Sequence, residues 1–190
     1  MIQKRIGIFG GSFNPIHNSH LKVANYLIEK KVLDEVWIIP CKNHVFNKSL
    51  IPAKERLRMI ELAIKGKRSI KAHKVEMKMK GKSCTIKTLR KLKKDYPHDF
   101  FIIIGADILK DIIKWYNFQE LRKEAKFIVF KRKGYKIKNP GINIEKVIAA
   151  HADAISSTKI RTRISEGKKI TKWVPKPVEN YILKNKLYTK

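Results

Sequence analysis

Two short stretches of this chain combine the residue types that bind and activate phosphate. The first is Gly10-Gly11-Ser12-Phe13-Asn14-Pro15-Ile16-His17-Asn18-Ser19-His20-Leu21, lying between an apolar run and a helical pattern. Glycines let an anion approach the backbone closely, and a helix start offers unbonded N–H groups at a positive dipole end. His17 and His20 stand three apart, so at a helix start both imidazoles lie on one side. Two imidazoles so placed can donate hydrogen bonds to phosphate oxygens. As a metal pair they have no third ligand near in sequence, so no protein metal site is expected. The second stretch is Ile155-Ser156-Ser157-Thr158-Lys159-Ile160-Arg161. Its consecutive hydroxyls before an apolar helical pattern form an N-cap. Arg161, one turn in, adds a bidentate phosphate donor.

Between these stretches lie shorter groups. Ile104-Gly105-Ala106-Asp107 closes an apolar run, with Trp115 eight residues beyond Asp107. Lys131-Arg132-Lys133-Gly134-Tyr135 follows another apolar run, and Ser83-Cys84-Thr85 opens a helical pattern. His44-Val45-Phe46-Asn47-Lys48 is a polar, basic loop after the second strand pattern. Arg56 and Arg58 on the following helix are read either as solvated or as reaching phosphate. Singly, each of these has an ordinary structural explanation: a cap, a core tryptophan, a solvated cation.

Taken in order, the groups resemble the His-x-x-His nucleotidyltransferase superfamily. The opening Gly10 to Pro15 is similar to the bacterial-type nicotinate mononucleotide adenylyltransferases, and Ile155 to Arg161 resembles the superfamily's second signature, Ile-Ser-Ser-Thr-x-Ile-Arg. Trp173-Val174-Pro175-Lys176-Pro177 through Leu187-Tyr188 resembles that family's ending, so the likeness covers nearly the whole chain. Ser19 stands where the family usually has Gly, and Cys84 where it usually has Tyr. The resemblance implies AMP transfer from ATP to nicotinate mononucleotide, with Mg2+ accompanying ATP. It assigns Gly10, Gly11, Ser12, Phe13, His17, His20, Gly105, Asp107, Ser156, Ser157, Thr158 and Arg161 to ATP. His17, His20 and Arg161 would be catalytic, and Lys48, Thr85, Trp115 and Arg132 would bind the mononucleotide. The aromatic ring of Trp115 would stack on the pyridine.

Stepping along the chain, the pattern that must position these residues alternates strand and helix. Strands are expected at Arg5–Phe9, Glu35–Ile39, Ser69–Ala72, Phe100–Ile104, Phe127–Phe130 and Lys146–Ala149. Helices are expected from about Ser19 to Lys30, Lys54 to Ile64, Thr85 to Lys94, Ser157 to Glu166 and Lys176 to Lys184. The Phe100–Ile104 run, apolar throughout, belongs in the middle of the sheet. Such alternation predicts a Rossmann-like α/β fold, a doubly wound and mainly parallel sheet with helices on both faces. One domain over 1–190 is expected, with the helical part from about 155 carrying the second motif.

Composition narrows the partners. A formal net charge of +28 attracts acidic molecules: nucleic acid, anionic lipid or phosphorylated metabolites. The lysines are spread along the chain rather than gathered in an arm, which does not favour nucleic acid. Cys41 and Cys84 have neither metal nor redox spacing. With no membrane-length apolar run and no signal-peptide pattern, a cytoplasmic protein is expected. The sequence leaves homo-oligomerisation open. Among enzymes, nicotinamide mononucleotide and phosphopantetheine adenylyltransferases are the alternatives. Against a cytidylyltransferase stands the absence of Arg-Thr-x-Gly-Ile-Ser-Thr-Thr. Against an aminoacyl-tRNA synthetase stands the position of Lys78-Met79-Lys80-Gly81-Lys82-Ser83 before the central strand. A nucleic-acid-binding protein on an inactive nucleotide fold is the reading from another class.

Overall fold

A computed structural model describes residues 2–43, 50–149 and 155–189. In chain order the elements are β1 (Arg5–Gly11), α1 (Asn18–Glu29), β2 (Glu35–Pro40), α2 (Ala53–Ala63), β3 (Ile70–Ala72), α3 (Val75–Lys78) and α4 (Thr85–Asp95). There follow β4 (Asp99–Gly105), two 3-10 turns (Ala106–Ile108 and Ile112–Lys114), α5 (Phe118–Glu124), β5 (Lys126–Phe130), β6 (Asn143–Ile148), α6 (Ser157–Ser165) and α7 (Lys176–Lys184).

The six strands form one sheet in the order β3-β2-β1-β4-β5-β6, with every neighbouring pair parallel. Strand order reverses between β1 and β4, which lie side by side with Gly7 opposite Phe101. A crevice therefore opens above their carboxyl ends, where such sheets bind ligands. The expected Rossmann-like class and the interior place of the Phe100–Ile104 run are both borne out.

Alternation along the strands divides the core in two, as a period of two requires. Phe9, Phe101, Ile103, Ile128 and Phe130 face one side, under Leu27 of α1, Ile60 of α2, Ile160 of α6 and Ile182 of α7. Ile6, Ile8, Trp37, Phe100, Ile102 and Phe127 face the other, under Leu89 of α4 and Leu121 of α5. Gly7 has no side chain because Leu33 and Ile103 pack across it: a Cβ there would lie 2.5 and 2.6 Å from their methyl groups. The loop that leaves β1 therefore springs from a central strand whose two faces are clamped by helices.

Elements beyond the expected ones are α3, the 3-10 turns and α5. All are short, and packing rather than periodicity forms them. Among the described residues, no helix is long and apolar enough to cross a membrane.

Candidate active site

The first loop leaves β1 at Gly11 and enters α1 at Asn18, with His17 as its N-cap in extended conformation. Phe13 takes φ +45° and the Asn14–Pro15 bond is cis. A Cβ placed on Gly10 would meet nothing within 4 Å, so the space above that backbone is open to a ligand.

His17 and His20 stack with ring centroids 3.7 Å apart. The His17 backbone N–H donates to His20 Nδ1 at 3.2 Å. The His20 ring also meets Phe9 and Phe13 edge-on, at 5.9 and 5.0 Å. Burial, and then the charge of Arg132, lower the His17 pKa to about 4. Burial, His17 and Arg132 hold His20 well below the ordinary histidine value. Both rings are thus neutral near pH 7. Because His20 Nδ1 accepts a hydrogen bond, its single proton belongs on Nε2, which makes that atom a donor.

The second loop docks directly on the first. Ser156 caps α6, its hydroxyl accepting from the Lys159 N–H at 3.2 Å. The Ser157 hydroxyl donates to the Pro15 carbonyl at 2.9 Å. Arg161 donates from Nη1 to the Asn14 carbonyl at 2.9 Å and from Nη2 to Thr158 Oγ1 at 3.3 Å. Residues more than 140 positions apart in sequence are held edge to edge in this way.

Asp107 lies in the 3-10 turn after β4. Its Oδ2 takes Arg132 Nη1 at 3.1 Å, while Oδ1 is enclosed with no hydrogen-bond partner. Gly105 makes room for this carboxylate, since a Cβ at 105 would collide with Asp107 Oδ1. Arg132 was expected with the mononucleotide; it lies on Asp107, within electrostatic reach of both histidines.

Thr85 begins α4, whose N-cap is Cys84 with no side-chain cap bond and no acid in the first turn. Lys87 of that turn places its ammonium 5.0 Å over the ring of Tyr116, the neighbour of Trp115. The α4 start and the Trp115 segment are therefore adjacent. Trp115 itself packs partly buried against the second core cluster, whereas Tyr116 is exposed. Lys48 and His44 lie outside the described residues.

Three supporting residues were not singled out from sequence as holding this loop. Arg56 is 1% exposed and donates to the carbonyls of Ser12 at 2.7 Å, Cys41 at 2.7 Å and Ile51 at 3.0 Å. It is bound to backbone, neither solvated nor presented to phosphate. Tyr188 donates to Oδ1 of the buried Asn14 at 2.9 Å. Only the family-like ending hinted at Tyr188, and nothing in apolar periodicity marks Arg56 or Asn14.

Comparison with known proteins agrees with this geometry. The family model described as cytidylyltransferase-like matches residues 8–163. The nicotinate-nucleotide adenylyltransferase of Bacillus subtilis strain 168 is 38% identical over 188 residues, covering 97% of this chain and 98% of the relative. A structure of Plasmodium falciparum nicotinic acid mononucleotide adenylyltransferase complexed with NaAD superposes with TM-score 0.81 at 26% identity, over 98% of both chains. The same Plasmodium falciparum protein complexed with APC gives 0.79, again at 26% identity and 98% of both chains. The chain therefore belongs to the cytidylyltransferase-like family, among its nicotinate-nucleotide adenylyltransferases.

Proposed function

We propose that this enzyme transfers AMP from ATP to nicotinate mononucleotide, giving deamido-NAD and pyrophosphate. The mononucleotide phosphate is anionic at neutral pH and needs no general base. It attacks the α-phosphorus of ATP in line, and pyrophosphate leaves. The protein's task is to position the two nucleotides and to stabilise charge on the transferring group.

The observation that carries this reading is the docking of Ser157 and Arg161 onto Pro15 and Asn14. It closes two phosphate-binding loops around one end of the crevice. His20 Nε2–H and the open backbone at Gly10 face the phosphates from the α1 side, and Ser156, Ser157, Thr158 and Arg161 from the α6 side. Ser12 and Phe13 shape the turn between them. Neutral imidazoles bind transferring phosphate as donors without adding protons to it. Asp107, with one enclosed unpartnered oxygen, suits a ribose hydroxyl near Gly105. Arg132 is poised to exchange Asp107 for a phosphate oxygen. Thr85, Trp115 and Lys48 are assigned to the mononucleotide. Mg2+ would accompany ATP and would offset the negative charge of its phosphates. The free thiols of Cys41 and Cys84 suit a cytoplasmic setting.

Pyrophosphate release should be measured with ATP plus nicotinate mononucleotide, nicotinamide mononucleotide or phosphopantetheine. Turnover is expected with the pyridine mononucleotides, fastest with nicotinate. Release with phosphopantetheine alone would contradict the proposal.

A further inference from the structure

Glu76 is an enclosed carboxylate that the reaction described above does not use. It lies in α3, and the Thr88 hydroxyl of α4 donates to its Oε1 at 2.8 Å. Thr88 is itself 2% exposed, and its hydroxyl also reaches the Cys84 carbonyl at 3.3 Å. Glu76 Oε2 is enclosed with no hydrogen-bond partner. Burial pushes this carboxyl up, against the pull of Ser83, Thr88, the Lys42 backbone and Arg56.

Those same groups sit at a corner of the fold. The Lys42 backbone N–H, just past the end of β2, donates to Ser83 Oγ at 2.9 Å. The Lys42 ammonium donates to the Met79 carbonyl at 3.2 Å. Glu76 therefore stands where the exit of β2, the segment after α3 and the first turn of α4 converge. An enclosed carboxylate is costly to keep, and an apolar side chain would pack the corner more cheaply. What the carboxylate adds is a directed hold on α4, one turn inside its start at Thr85.

We propose that Glu76 is a positioning residue for the acceptor mononucleotide: through Thr88 it fixes the first turn of α4 against the exit of β2. This rests on the reaction assigned above. Thr85 is then presented at a fixed place beside the Trp115 segment, which Lys87 already joins to the same turn. Most bonds that set the ATP side run elsewhere, from Ser157 to Pro15, from Arg161 to Asn14 and between the two histidines; Arg56, which holds Ser12, meets this corner at the Cys41 and Lys42 carbonyls and is not hydrogen-bonded to Glu76. Loss of the Glu76 anchor should accordingly be felt by one substrate and not by the other.

The test is steady-state pyrophosphate release by the wild type, Glu76→Ala, Glu76→Gln and Thr88→Val, varying each substrate in turn, with thermal unfolding alongside. Glu76→Ala and Thr88→Val are expected to raise KM for nicotinate mononucleotide about tenfold. Their kcat and their KM for ATP should stay within about twofold. Glu76→Gln keeps an acceptor for Thr88 and should recover most of the loss. Equal rises in both KM values, or an unchanged acceptor KM in folded variants, would overturn the proposal. If Glu76→Ala does not fold, Thr88→Val makes the same comparison. A wild type that uses no pyridine mononucleotide overturns the reaction assignment instead, so the two failures are distinct.

Discussion

His17 and His20 stack 3.7 Å apart, and burial first, with the charge of Arg132 secondary to it, resists protonation of either ring. Their contribution is then donation from a neutral imidazole. Replacing His20 with Ala removes one donor to the transferring phosphate and should lower kcat by roughly 10²–10³. Near-normal turnover in that variant would show that His20 does not face the reaction. A stability consequence follows from His17. Its folded pKa is about 4 against 6.5 for the ordinary group. Between those values the unfolded chain takes up a proton that the folded chain refuses. Stability is therefore full above pH 6.5 and falls as pH drops towards 4. By pH 5 this one group should cost about 2 kcal/mol. Denaturant unfolding at pH 7 and pH 5 measures the loss, and His17→Asn should reduce it. Equal pH sensitivity in wild type and variant would contradict the buried, neutral assignment.

At the scale of elements, the strands were legible because buried parallel strands are near-continuous apolar runs, as Phe100–Ile104 shows. The two loops were legible through residue types: glycine, histidine and hydroxyls at element ends. Less visible was α3, four residues long, which forms where Val75 packs and carries the enclosed Glu76. Arg56 reads from sequence as either solvated or reaching phosphate, yet the fold buries it on backbone carbonyls that only the assembled sheet brings within reach. The Tyr188–Asn14 bond spans 174 residues, a separation that no local pattern encodes. It joins the turn that follows α7 to the turn that Arg161 also grips. Tyr188→Phe leaves buried Asn14 Oδ1 without its donor, at a cost of about 1–3 kcal/mol. For a chain of this size that is a fall in Tm of roughly 2–10 °C. A Tm unchanged in scanning calorimetry would mean that the bond holds nothing.

The whole molecule carries +28 formal charges, and its carboxylates are largely tied to neighbouring cations. Lysines are spread along the whole chain, a broad source of positive charge, and both proposed substrates are polyanions. The field should speed their capture and be screened by salt. Raising ionic strength from about 0.05 to 0.3 M should lower kcat/KM roughly tenfold, with kcat much less affected. A salt-independent kcat/KM would show that the charge serves something other than substrate capture. The central claim is that the two docked loops form a centre that joins AMP to nicotinate mononucleotide. The most direct measurement is mass-spectrometric identification of the products from ATP, Mg2+ and nicotinate mononucleotide. The expected result is deamido-NAD and pyrophosphate in equal amounts, with the rate collapsing in His20→Ala. No dinucleotide, or pyrophosphate formed at the same rate without the mononucleotide, would contradict it.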